Sequence, residues 1–141
     1  LVRILIAEDN ELIAFNLVDM LRELECVASE TTREVAAGLD LLEHMSFDIA
    51  IIDVVLADGT SEPLMEALRQ RGVPFAISSG LSEADLRFDY PGVPILAKPY
   101  GMSEVAYVFN SLTSLPSRHM GAAGRLPALK AGLAEINRDR G

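Results

Sequence analysis

Residues 48–55 (DIAIIDVV) open on Asp48 and are otherwise apolar, broken only by the charge of Asp53. A continuous run of this kind suits a parallel strand covered on both faces, so helices must pack on each side of it. The rest of the chain can supply them. Residues 2–7 (VRILIA) read as a first buried strand. Ile13, Leu17, Met20, Leu21 and Leu24 then recur at helical spacing, opposite Glu11, Asp19 and Glu23. Residues 26–29 form a weak short strand. Thr31 or Thr32 is positioned to cap a second helix carrying Val35, Leu39 and Leu42. After residues 48–55, Ala57-Asp58-Gly59 reads as a turn. Ser61 is a candidate cap for a third helix, with Pro63 in its first turn and Gly72 beyond its end. A fourth strand is expected at 74–78 and a fifth at 93–97. Residues 80–92 hold at most one short helix. A last helix spans 102–115, with Val105, Val108, Phe109 and Leu112 facing inward. The expected class is α/β, a doubly wound (βα)5 parallel sheet with right-handed crossovers.

At 141 residues the chain has the size of one domain, and half of it is hydrophobic, enough for a core. Its net charge of −9 argues against a nucleic-acid surface, which needs basic patches. The one cysteine, Cys26, excludes an internal disulfide and reads as a small core residue. No apolar run approaches the about 20 residues of a membrane span. A cytoplasmic protein with no membrane segment is expected. His44 and His119 read as surface residues, because no second His or Cys stands at ligand spacing.

In doubly wound folds the working site lies at the carboxyl ends of the strands. Glu8 and Asp9 follow strand one, Asp53 stands late in strand three, Ser78 and Ser79 close strand four, and Lys98-Pro99 follows strand five. Singly, each reads as an ordinary turn or surface residue. Together, the carboxylates repel one another unless a cation joins them. Carboxylate oxygens completed by waters are the usual Mg²⁺ arrangement. A lysine and a serine hydroxyl can hold a phosphoryl group, and a carboxylate can be its nucleophile.

This order of motifs resembles the receiver domains of two-component response regulators, over about residues 2–115. The resemblance implies a flavodoxin-like sheet of strand order 2-1-3-4-5. It implies Asp53 as the phospho-acceptor in a phosphorelay, receiving from the phosphohistidine of a histidine kinase or histidine phosphotransfer protein. Asp9 would ligate Mg²⁺ directly and Glu8 through its water shell, with Asp53 and the Val55 backbone carbonyl completing the protein ligands. Ser79, preferred to Ser78 because it precedes Gly80, and Lys98 would engage the phosphoryl group. Pro99 would follow a cis bond. Such a protein catalyses its own aspartyl phosphorylation and signals through a downstream protein partner.

Several positions depart from the family pattern. Glu8 stands where many relatives have Asp. Ala57 replaces a frequent Pro, and Gly59 arrives early, so the loop after Asp53 is shorter. Ile95 takes the place of the aromatic switch residue and cannot relay through a hydroxyl. Pro74, Phe75 and Ser78–Gly80 resemble the Pro-Phe-x-x-(Ser/Thr)-Gly motif of certain single-domain regulators. Tyr100 stands where relatives often have Phe. Val55 and Leu81, both apolar, imply slow self-dephosphorylation.

Residues 116–141 form a basic tail unlike the acidic remainder. It reads as a linker with a short amphipathic helix on Leu126, Leu129, Leu133 and Ile136, open to docking on the domain or to a homodimer. Two other readings compete with the receiver. One is a pseudo-receiver that binds protein without phosphorylation. The other is a small-molecule phosphotransferase, which Val55 disfavours because such enzymes carry a second Asp there.

Overall fold

Ile49, Ala50, Ile51 and Ile52 are each at most 1 % exposed, so the third strand is sealed on both faces. In the computed structural model, which describes residues 1–24 and 27–114, this strand is the middle of a five-stranded parallel sheet. The elements are β1 (Val2–Ala7), α1 (Glu11–Arg22), β2 (Val27–Thr32), α2 (Val35–His44), β3 (Ile49–Asp53), β4 (Val55–Leu56), β5 (Gly59–Thr60), α3 (Glu62–Gln70), β6 (Phe75–Ser79), α4 (Glu83–Asp89), β7 (Ile95–Ala97) and α5 (Met102–Thr113). The sheet order is β2-β1-β3-β6-β7, the expected doubly wound order, because β4 and β5 form a separate antiparallel pair. The readings of Cys26 and of residues 116–141 lie outside the described residues.

Alternation along the strands divides the core in two. Leu5, Ala7, Ala50, Ile52, Phe75 and Ile77 pack beneath α2 and α3. Ile4, Ile6, Ile49, Ile51, Ala76 and Leu96 pack beneath α1 and α5, against Leu17, Leu21, Val105, Val108 and Leu112. Gly38 lets α2 and α3 approach closely: a Cβ there would stand 3.0 Å from a Leu64 methyl. Gly72 ends α3 at φ +69, a left-handed conformation that suits glycine.

Four local expectations are corrected. β2 is longer than residues 26–29 and takes in Thr31 and Thr32, so neither caps α2. β3 ends at Asp53; Val55 is 55 % exposed and begins the β4–β5 hairpin. Ser61 occupies the N-cap position of α3, but its hydroxyl does not cap the helix. The N-terminus of α2 is capped from a distance. Asp58 Oδ1 accepts from the Val35 N–H at 2.7 Å and Oδ2 from Ala36 at 3.1 Å. A carboxylate there satisfies free N–H groups and complements the helix dipole.

The Val35 N–H, then that of Ala36, holds the Asp58 carboxyl below its ordinary 3.8. A depressed carboxyl stabilises the fold fully above its unfolded pKa and loses that contribution as pH falls through the folded value. Asp58→Ala should therefore lower Tm at neutral pH. The gap from wild type should close under acid, below 3.8, in thermal melts followed by circular dichroism.

Candidate functional site

The carboxyl ends of β1, β3, β6 and β7 bring the polar residues to one rim. Glu8 follows β1 and is only 4 % exposed. Its backbone N–H donates to Thr32 O at 2.9 Å, tying it to the end of β2. Asp53 is the last residue of β3, and the Lys98 N–H donates to Ser79 O at 2.9 Å, tying the lysine to the end of β6. Lys98 Nζ reaches both acids, Glu8 Oε1 at 2.7 Å and Asp53 Oδ2 at 2.9 Å. The Lys98–Pro99 bond is cis, as the resemblance implies.

Glu8, Asp9 and Asp53 each offer a carboxylate oxygen, all lying within 4.8 Å of one another. Three carboxylates against one ammonium leave two negative charges, which one divalent cation neutralises. The all-oxygen donor set fits a hard cation such as Mg²⁺. Burial pushes the Glu8 carboxyl up, against hydrogen bonds from Lys98 and the Asn10 N–H. Burial also works against the Lys98 ammonium, but its bonds to Glu8 and Asp53 outweigh this and leave its pKa raised. The lysine is therefore charged throughout the physiological range.

The loop bearing Val55 is fixed from below. Ser61 is fully buried, and its Oγ donates to Asp53 O at 2.6 Å and Val54 O at 3.1 Å. Arg33 Nε donates to Asp9 O at 3.2 Å, and the Ala57 N–H to Arg33 O at 3.1 Å. Sequence reading gave Ser61 and Asp58 only local roles. Their true partners lie on other segments, and only the Asp53-to-Ser61 spacing on a shortened loop offered a signal. Ser79 Oγ accepts the Leu81 N–H at 3.0 Å, and Ile95 packs against the core beneath α2 and α3.

This fold and this rim define a response-regulator receiver domain, and the chain belongs to that family. It is similar to SdrG from Sphingomonas melonis Fr1, at 38 % identity and a TM-score of 0.70, over 79 % of this chain and 96 % of SdrG. The receiver domain of HemR from Leptospira biflexa shares the fold at 23 % identity and a TM-score of 0.67, over 82 % of this chain and 96 % of that one. So does the receiver domain of the sensor histidine kinase PA1611 from Pseudomonas aeruginosa PAO1, at 20 % identity and a TM-score of 0.69, over 80 % and 98 % of the two chains. No protein-family model matches the chain, and no curated protein does. Among the described residues, no helix is long and apolar enough to cross a membrane.

Proposed function

We propose that this domain accepts a phosphoryl group on Asp53 from a phosphohistidine of a histidine kinase or histidine phosphotransfer protein, and signals through a phosphorylation-dependent protein contact. The observation that carries this reading is the bridging position of Lys98 between Glu8 and Asp53. A purely protein-binding domain has no use for a partly buried lysine held over a cluster of acids.

In the transfer, an Asp53 carboxylate oxygen forms a bond to phosphorus as the P–N bond to the donor imidazole breaks. The imidazole leaves with the bonding pair and takes up a proton. Asp9, Glu8, Asp53 and the Val55 carbonyl would hold Mg²⁺, whose contribution is to neutralise charge on the phosphoryl oxygens. The PA1611 receiver has a magnesium ion coordinated in its active site cleft. Lys98 pairs with a phosphoryl oxygen, and Ser79, which the family pattern favours over Ser78, donates its hydroxyl to another.

Intact-protein mass after incubation with acetyl phosphate tests the reading. One added phosphoryl group is expected in the presence of Mg²⁺, none without it and none in Asp53→Asn. The adduct should decay over many minutes, because Val55 and Leu81, both exposed and apolar, offer no side chain to orient water. No mass gain in a folded wild type would overturn the proposal.

A further inference from the structure

Ser61 stands at the N-cap position of α3 and is fully buried, yet its side chain caps nothing. A serine at this position ordinarily turns its oxygen toward the free N–H groups of the helix. Here the side chain points the other way, and its Oγ donates to Asp53 O at 2.6 Å and Val54 O at 3.1 Å. A hydroxyl has one proton, so the shorter bond to Asp53 O takes the larger share. Val54 O is held in addition by the Ser61 N–H at 2.8 Å. Helix capping does not account for a buried hydroxyl aimed in this way.

The course of the chain after the acceptor does account for it. Peptide units are planar, so fixing the carbonyls of Asp53 and Val54 fixes both torsions of Val54. Val55 comes next, and its own side chain is 55 % exposed, so packing does little to place its carbonyl. Val55 and Leu56 pair with Thr60 and Gly59, and the hairpin they form is hinged at Val54 and Ser61. Two residues in each strand are too few to hold a hairpin by themselves. Both sides of the hinge are rigid. Ser61 O accepts the Met65 N–H at 2.9 Å, and Leu64, Met65 and Leu68, each at most 1 % exposed, seat α3 in the core. On the other side lies β3, sealed on both faces. One hydroxyl thus ties strand to helix at the point where the chain leaves the acceptor.

We propose that Ser61 is a positioning residue for the cation: its hydroxyl holds the backbone that aims the Asp53 carboxylate and the Val55 carbonyl at one Mg²⁺. It acts through that backbone and not by touching the metal or a phosphoryl group. The proposal rests on the receiver reading above for the identity of these two ligands. Loss of a hydrogen bond behind a metal ligand typically costs about 10–100-fold in metal affinity. Ser61→Ala should therefore weaken Mg²⁺ binding by at least about tenfold. Phosphorylation from acetyl phosphate should fall at low Mg²⁺ and recover as Mg²⁺ is raised, because mass action refills the weakened site.

Titration calorimetry of the full chain with Mg²⁺ reads this effect without any phosphoryl transfer. Ser61→Cys is the second variant. It leaves no empty space in the interior, but a thiol is a weak donor, so it should lose Mg²⁺ affinity as Ser61→Ala does. Val108→Ala serves as the control for lost stability, since Val108 is buried in the other core, beneath α1 and α5. It should bind Mg²⁺ as wild type does. Ser61 variants that bind Mg²⁺ as tightly as wild type, or a Val108→Ala protein that loses as much affinity, would overturn the proposal. So would a phosphorylation deficit that persists at saturating Mg²⁺. A wild type that binds Mg²⁺ but gains no phosphoryl group would remove the receiver reading instead, and the calorimetric comparison would still decide the role of Ser61.

Discussion

Lys98→Ala should strengthen Mg²⁺ binding several-fold while phosphoryl acceptance from acetyl phosphate falls by about 10²–10³-fold, the usual cost of losing one preorganised charge partner in a transition state. The opposite signs follow from the double role of one ammonium. Without a metal, Lys98 occupies Glu8 Oε1 and Asp53 Oδ2, oxygens that a cation would also seek. Removing it frees those oxygens and deletes a like charge beside the metal. During transfer the same charge sits on the phosphoryl group, where nothing else in the described site replaces it. The metal-free variant should also lose about 2–4 kcal/mol of stability, because two poorly exposed carboxylates are left facing each other. Saturating Mg²⁺ should restore much of that loss. Titration calorimetry with Mg²⁺, acetyl phosphate kinetics and urea melts with and without metal separate these effects. A Lys98→Ala protein with weaker Mg²⁺ binding would show that the lysine organises the acids rather than competes for them.

The second large effect concerns β3. Ile51→Ala and Ile52→Ala should each cost about 3 kcal/mol, within the usual range for truncating a buried aliphatic side chain. The near-equality is the informative part. Ile51 points into the core beneath α1 and α5, and Ile52 into the core beneath α2 and α3. A sheet with one wet face would give one large loss and one small. Urea denaturation of the two variants measures this directly. A difference of more than about 2 kcal/mol between them would contradict two cores of equal standing.

Hydrophobic continuity revealed β1, β3 and the inward faces of α1 and α5, because fully covered elements must be apolar. It also carried β3 two residues too far. Val54 and Val55 are as apolar as Ile51, and nothing in their side chains marks the point where the backbone leaves the sheet. β2 was harder for the opposite reason. It lies at the sheet edge, buries only Thr32 fully, and so reads as polar chain. Glu8, Asp9, Asp53 and Lys98 were legible because strand order alone brings strand ends to one rim. Ser61 and Asp58 were not, since their partners are a carbonyl on β3 and a helix start 23 residues away from Asp58. Short-range patterns contain no record of such bonds. Tyr100 read as structural packing, and it does pack against the core beneath α1 and α5.

The bonds from Asp58 to α2 and from Ala57 to Arg33 join two loops that the chain visits far apart. Amide exchange should register this as a shared clock. The Val35, Ala36 and Ala57 amides point into the junction, so opening it exposes all three together, as one cooperative unit. Loosening of the segment that follows the acceptor should therefore release the first turn of α2, so that a local opening beside Asp53 registers on the far side of β1 with every strand in place.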